Sequence, residues 1–517
     1  ATVLLLERGG SPYGNPDIIK MESFGLPIAD PSPESPAENF VSEDGVFNTR
    51  ARVLGGGSAL NAGFYTHASW EYVSRAGWYE PLVNDSYRWV EAKVAFEPRV
   101  TEWQSAVREG LLEAGVLPDN GFTYDHIAGT KIGGTIFDGD DNRHTAADLL
   151  EYAVPHNIDV YLHATVHKIL ISKKDAGKSG LNVRAYGIEF GDSKGNSKQA
   201  LLKGNPENEV IVSAGAIGSP HLLMLSGVGP ANHLRDHGIE VVVNNPMVGQ
   251  GIADNPMNIL FVPSPVPVEL SLIQVVGITK FGSFIETCSG TKFFLRILAG
   301  HKALLNETAN SYSMDPELTV KALKGLRIIA GNKALLNKTD MTNIVEALND
   351  IHSGIILEKI IGPNSYGEIR LRSADPNQIP SVKFNYFQDP EDLKRCVRGM
   401  HTIIDVFNSK SFSKFRFKIL PADVLMSLVA LLPLNLRPRH LNTATDMEQF
   451  CIDTVMTIWH YHGGCQVGKV VDSDYKVIGV DGLRVIDGST FLASPGTNPQ
   501  ATVMMLGRYM GRKIQEG

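Results

Sequence analysis

Residues 458–505 constrain the fold more than any other stretch. Ile458-Trp459-His460-Tyr461-His462-Gly463-Gly464-Cys465 is a Gly-rich loop carrying two histidines. Leu483-Arg484-Val485-Ile486-Asp487-Gly488-Ser489 is an apolar run closed by turn residues, which predicts a buried strand. Thr497-Asn498-Pro499-Gln500-Ala501-Thr502 then opens a helix. A proline at the first helical position is pre-organised for the helix, whose first N–H groups face an electron-rich ligand atom. Ligands of open α/β sheets gather outside the carboxyl ends of the strands. Loop, strand, turn and helix in this order are therefore expected to bring His460 and Asn498, far apart in sequence, to the end of one parallel sheet.

A chain of 517 residues exceeds one compact core, so two domains are expected. Its net charge of −8 and pI near 6.0 argue against nucleic acid or an anionic membrane as a partner. No segment is long and apolar enough to span a bilayer, so no stable membrane insertion is expected. The best candidate, residues 424–436, is broken by Pro433 and reads as a core or pocket helix. The four cysteines, Cys288, Cys396, Cys451 and Cys465, are too few and too scattered for a disulfide scaffold or a zinc ribbon, though one bridge is compatible with them. His460, His462 and Cys465 suggest a metal site at first sight. Zinc needs three or four tetrahedral ligands and no fourth ligand has matching spacing, so no metal is expected. His462 suits a core histidine satisfied by backbone. Sequons at Asn84, Asn306 and Asn337 lean toward a glycosylated protein of the secretory pathway.

The chain opens on an apolar run, Thr2-Val3-Leu4-Leu5-Leu6-Glu7-Arg8-Gly9-Gly10. A strand ending in an acidic residue is how the second strand of a dinucleotide-binding βαβ unit ends, its carboxylate accepting from the adenosine ribose. The G-x-G-x-x-G turn that should precede it is expected upstream, so the chain reads as an amino-terminally truncated fragment expected to retain its cofactor poorly. Ala51-Arg52-Val53-Leu54-Gly55-Gly56-Gly57-Ser58-Ala59-Leu60-Asn61-Ala62-Gly63-Phe64-Tyr65 has three glycines that let backbone approach a flat ligand, or form a flexible loop. Residues 164–169 alternate as a strand, and residues 210–229 read as buried strand, small-residue turn and apolar helix stopped by Gly. Residues 367–371 and 381–387 are predicted strands, and Asp389 is a predicted helix cap. Residues 296–306 and 327–337 echo one another, too briefly for a solenoid. His126 and His144 read as structural, since nothing in the sequence pairs them with a base or a metal.

These motifs together resemble the glucose–methanol–choline (GMC) flavin oxidoreductases, in particular the plant HOTHEAD-type and (R)-mandelonitrile lyase-like subgroup. Residues 51–65 and 210–229 match the two family signatures, Asp254-Asn255-Pro256 continues the pattern, and the likeness fades only over about 288–350. The resemblance implies an FAD-binding Rossmann-like α/β domain over 1–65, 155–265 and 452–517. It implies an α+β substrate domain with a mainly antiparallel sheet over 66–154 and 266–451. The first βαβ strand is missing from this layout. FAD is the implied cofactor, contacted by Glu7, Arg8, Val53, Gly57, Asn61, Ala62, Gly63, Phe64, Val166, Trp459, Asp487, Gly488, Pro499 and Gln500. Relatives pair the cysteines matching Cys396 and Cys451. A secreted monomer acting on a small-molecule alcohol or cyanohydrin is expected.

The family's catalytic acid/base falls on His460 and its partner position on Asn498, with Ile458 at a substrate-contacting position. Alcohol oxidation by hydride transfer to flavin needs a base for the hydroxyl proton. A neutral imidazole serves near neutral pH, and a carboxamide can donate to the same oxygen. FAD carries the redox step. The alternative is a hydroxynitrile lyase with structural FAD. Lyases carry a second His where Asn498 stands and a Tyr where Ile458 stands, so both departures favour oxidation; the resemblance to HOTHEAD-type members implies long-chain ω-hydroxy fatty acids as one substrate class. A third reading is an inactive truncated fragment.

Overall fold

The computed structural model describes residues 2–175, 181–290, 296–298 and 351–516. The internal echo lies almost wholly outside the described residues, as do the sequons at Asn306 and Asn337. The largest element is a seven-stranded sheet in the order Met456–Thr457, Pro256–Pro263, Ser353–Ile360, Ser283–Ser289, Val275–Ile278, Gly129–Ile132, Asp119–Phe122. All neighbours are antiparallel except the last pair. Every residue of Pro256–Pro263, Ser283–Ser289 and Ser353–Ile360 is buried. Strands covered on both faces read as continuous runs rather than alternating ones. Helices Glu102–Glu113, Pro390–Asn408 and Ala422–Leu431 pack on this sheet. Trp103 anchors the first of them, its Nε1 donating to Thr287 Oγ1 at 2.7 Å. Gly399 is required in the second: a Cβ there would stand 2.3 Å from Ser283 Oγ. The expected bridge between Cys396 and Cys451 is present and ties Pro390–Asn408 to Met447–Thr454.

Beside the sheet lie short parallel pairs, Val3–Leu6 with Ile158–Tyr161 and Val210–Val212 with Leu483–Val485. A three-stranded antiparallel sheet contains Thr165–Asp175, Leu181–Gly191 and Ser197–Leu201. Helix Gly215–Leu225 follows Val210–Val212, and helix Gln500–Glu516 packs on Glu80–Val94. The predicted strand, turn and helix of residues 483–502 are therefore all present, but the sheet that leads into His460 is the antiparallel one, and parallel pairing at Leu483–Val485 is limited to Val210–Val212. Pro256–Pro263 and Met456–Thr457 belong to the seven-stranded sheet, although they fall within the segments 155–265 and 452–517.

Two elements are shorter than their patterns suggest. The strand expected over 381–387 ends at Lys383. The N–H groups of Phe384 and Asn385 turn instead to the Asp44 carboxylate at 2.6 and 2.9 Å, and Asn385 and Phe387 take left-handed φ of 59° and 62°. The helix expected over 424–436 spans Ala422–Leu431, because Leu432 before Pro433 is forced into an extended conformation. Among the described residues no helix is long and apolar enough to cross a membrane.

The Cys396–Cys451 bridge closes a loop of sequence separation 55 between two fully buried side chains. Replacing both cysteines by alanine should lower stability by up to about 4 kcal/mol through the freed entropy of the unfolded chain. Urea unfolding of the oxidised protein and the double variant would measure it, and equal midpoints would refute it.

Candidate active site

His460 sits where the short strand Met456–Thr457 leaves the large sheet. Its backbone N–H donates to Asp254 Oδ1 at 2.7 Å, while Asp254 Oδ2 accepts from Thr457 Oγ1 at 2.6 Å and Tyr386 Oη at 2.7 Å. Burial pushes the Asp254 carboxyl up to about 6, and these hydrogen bonds pull against that rise. Trp459, just before His460, holds φ of 59°, a strained value for a bulky residue, and its N–H donates to Thr457 Oγ1 at 2.9 Å. His462 Nδ1 lies 3.0 Å from the His460 carbonyl, and its backbone pairs both ways with Ala253. Gly463 follows at φ 87°, where a Cβ would lie 2.1 Å from the Gly251 carbonyl oxygen.

The His460 imidazole is buried, and Asn255 Nδ2 lies 3.2 Å from its Nδ1. The same amide nitrogen is 3.2 Å from Ser494 Oγ and 3.3 Å from the Thr497 carbonyl. Ser494 Oγ donates to the Gly496 carbonyl, so it needs a donor from Asn255. A donor facing Nδ1 leaves that nitrogen bare, and the ring hydrogen then sits on Nε2. Among the described residues Nε2 has no hydrogen-bond partner. Burial, then Lys359, then His462 hold the His460 pKa well below its usual 6.5, so the ring is neutral.

Asn498 is tied down from the opposite side. Its Oδ1 lies 3.1 Å from Lys359 Nζ, which is 2.9 Å from Glu286 Oε2, and both charged side chains are fully buried. Asn498 Nδ2 has no partner among the described residues. His460 and Asn498 thus belong to one polar cluster, joined through Asn255 and the Thr497 carbonyl. Each is anchored at one end and leaves one polar atom, Nε2 or Nδ2, for something else.

The Gly-rich loop reaches the same place. Asn61 Nδ2 donates to Gln500 Oε1 at 2.8 Å, and Gln500 Nε2 donates to the Phe64 carbonyl at 2.6 Å. Asn61 Oδ1 accepts from Gly63 N–H at 2.9 Å and from the buried Arg143 at 3.2 Å. Val53 is buried and bridges to Gly10. Ala62 and Ile458 pack against the large core, and the Pro499 carbonyl accepts the Val503 N–H at the start of the last helix. Asp487 accepts from Ser489 N–H, Gly215 N–H and Ser219 Oγ, so its carboxylate holds the Gly488 turn to helix Gly215–Leu225. Farther off, Glu7 accepts from Gly9 N–H at 2.7 Å, and Arg8 is taken up by Glu38 and the Ala51 carbonyl. Val166 pairs with Phe190 in the three-stranded sheet.

Sequence reasoning passed over Asp254, Asn255, Tyr386, Arg143, Glu286 and Lys359 as site groups. Glu286 and Lys359 lie in strands Ser283–Ser289 and Ser353–Ile360. Charged residues within strand-like runs were the available signal, but periodicity alone reads them as a solvated face.

Residues 37–257 and 363–507 each match a family model described as GMC oxidoreductase. Protein HOTHEAD from Arabidopsis thaliana is 48% identical over 514 residues, covering 99% of this chain and 84% of the relative. The chain belongs to the GMC oxidoreductase family. An (R)-mandelonitrile lyase-like protein from Arabidopsis thaliana is 44% identical, covering 99% of this chain and 85% of the relative. Sinalpyl alcohol oxidase Nec3 from Nesocodon mauritianus is 40% identical, covering 100% and 85%. Among solved structures, pyridoxine 4-oxidase from Mesorbium loti superposes with a TM-score of 0.72 at 18% identity, covering 100% of this chain and 95% of that one.

As a GMC oxidoreductase the protein is an FAD-dependent enzyme acting on CH–OH groups. Its site leaves open backbone and unpaired polar atoms that fit the polar edge of such a cofactor. Cβ atoms added at Gly56, Gly57 or Gly215 would meet no heavy atom within 4 Å. Trp459 Nε1 and Thr497 Oγ1 are buried without a partner, an arrangement that costs about 1–3 kcal/mol per group until something pairs with it.

The depressed pKa of His460 has a direct test. In an NMR titration of isotope-labelled protein, the ring of His460 should stay neutral between about pH 8 and pH 6, where an ordinary histidine charges. An inflection near 6.5 for His460 would overturn the reading of a buried, donor-facing imidazole.

Proposed function

We propose that this GMC oxidoreductase oxidises a primary alcohol to the aldehyde, with His460 and Asn498 gripping the alcohol oxygen. The observation that carries the reading is the pair of anchored side chains, buried His460 and half-buried Asn498, whose Nε2 and Nδ2 atoms have no partner among the described residues and belong to one polar cluster. FAD, when bound, supplies the acceptor for the hydride leaving the alcohol carbon. Asn498 Nδ2 donates to the alcohol oxygen and steadies its growing negative charge. His460 takes the hydroxyl proton at Nε2. For that, the ring hydrogen must sit on Nδ1 and Asn255 must present an acceptor. Asn255 Oδ1 is buried without a partner; the half-turn of the carboxamide that brings it to Nδ1–H also withdraws Nδ2 from Ser494 Oγ and the Thr497 carbonyl, a cost set against the gain of a bare Nε2. The C–H bond leaves with both electrons and the O–H proton ends on His460, so the two halves of the oxidation balance.

In the same proposal Gly57, Asn61, Ala62, Gly63, Phe64, Trp459, Pro499 and Gln500 line the flavin end of the cofactor. Val53, Glu7, Arg8 and Val166 line its pyrophosphate and adenosine end. Asp487 and Gly488 act by shaping the turn between them, and Ile458 faces substrate. The division into a cofactor domain over 1–65, 155–265 and 452–517 and a substrate domain over 66–154 and 266–451 is part of this reading. A buried disulfide and the exposed sequon residue Asn84 support passage through the secretory pathway.

The relative named sinalpyl alcohol oxidase supports an alcohol as substrate, and the (R)-mandelonitrile lyase-like relative supplies the rival. Full-length, FAD-loaded protein should reduce an electron-accepting dye when offered benzyl alcohol or a long-chain primary alcohol, and should release no cyanide from mandelonitrile. Cyanide release without dye reduction would reverse the assignment. His460→Ala should lower turnover by about 10²- to 10⁴-fold with flavin content unchanged; an undiminished rate would remove His460 from the chemistry.

A further inference from the structure

We propose that Lys359 is the positioning residue that decides which way the Asn498 carboxamide faces, so that Nδ2 rather than Oδ1 meets the substrate oxygen. This rests on the reading of Asn498 as a donor and deepens it. The two ends of an asparagine amide are nearly the same size, so shape alone does not choose between a donor and an acceptor. Whether the shared proton sits on Lys359 or, as burial of the pair favours, on Glu286, Nζ meets Glu286 Oε2 through that proton and keeps only N–H groups for its other neighbours, so the Asn498 atom 3.1 Å from Lys359 must be Oδ1. The nitrogen is then turned away from the lysine, to the side where no described residue takes it up.

Lys359 has no freedom to release the amide. Its side chain is fully buried, its Nζ is 2.9 Å from Glu286 Oε2, and the same atom stands 4.6 Å from the centre of the Phe284 ring. Phe284 is the register partner of Lys359 across antiparallel strands, and Glu286 is two positions along that strand. Both are held in the large sheet, whose register sets the three residues side by side, and the Glu286 and Phe284 contacts hold Nζ in place. Asn498, by contrast, lies outside any strand or helix, two residues before helix Gln500–Glu516. A buried ion pair is an expensive way to fill a core and is weak evidence for stability. Here it gives a rigid donor to one oxygen. A histidine at position 498 would have a different requirement, since a neutral ring nitrogen facing Lys359 would have to accept.

The test is a four-member cycle in full-length, FAD-loaded protein: wild type, Lys359→Met, Asn498→Ala and the double variant. The readout is the anaerobic rate of flavin bleaching at saturating benzyl alcohol, or a long-chain primary alcohol if that reduces the flavin faster. Asn498→Ala should slow it about a hundredfold, as expected for loss of a donor to a developing oxyanion. Lys359→Met should slow it about tenfold to a hundredfold in wild type, and by no more than about twofold when Asn498 is already alanine, since two residues acting as one unit are not additive. Glu286→Leu with Lys359→Met removes both charges together and should give the same loss in a protein that keeps its flavin and its melting temperature. Multiplicative losses in the double variant, or a wild-type rate in the charge-free pair, would overturn the positioning role while leaving Asn498 as donor intact. A wild-type rate for Asn498→Ala alone would overturn the donor reading itself.

Discussion

Two consecutive side chains, Asp254 and Asn255, hold the site together. Asp254 takes the His460 backbone N–H, the Thr457 hydroxyl and the Tyr386 hydroxyl. Asn255 takes the His460 ring, Ser494 and the Thr497 carbonyl. Segments near 254, 386, 460 and 497 thereby meet at one buried point. Both side chains are almost wholly buried, so their bonds are not shared with bulk water and each is worth more than its surface counterpart. The large sheet supplies the rigidity behind them: Pro256–Pro263 begins immediately after Asn255 and pairs with Met456–Thr457 just before the His460 loop.

The site carries costs that the rest of the structure offsets. Trp459 is held at positive φ, Lys359 and Glu286 are buried as a pair, and several polar atoms near His460 have no partner. Each is of order 1–3 kcal/mol when viewed alone. They persist because the surrounding strands over-determine the geometry. A site whose polar atoms were all satisfied internally would have nothing left with which to bind. Those that are unsatisfied, His460 Nε2 and Asn498 Nδ2 in particular, are the ones available to a cofactor and substrate. The FAD chemistry of a GMC oxidoreductase then asks little of the protein beyond holding an oxygen and relocating a proton.

Much of this was legible from residue patterns. The strand at Leu483–Val485, the helix from Gln500 and the Gly-rich turn at Gly55–Gly57 follow from apolar runs, proline and glycine, which act locally. The bridge between Cys396 and Cys451 was legible only through family likeness, since spacing alone leaves several pairings open. The strand over 381–387 stopped early because Asp44, more than three hundred positions away, captured its N–H groups. Lys359 and Glu286 were invisible because a lysine in a strand reads as an outward-facing residue until the sheet covers both of its faces.

The sequence by itself determined the order of elements, the family and the residue types at the site, because these depend on neighbours three or four positions away or on motifs written contiguously. Only the tertiary structure decided how those residues are used. Which nitrogen of His460 is bare depends on Asn255, and which face of the Asn498 amide is presented depends on Lys359. Both follow from contacts between strands and loops distant in sequence. The orientation of a hydrogen bond is a property of the partner, and the partner is chosen by the fold.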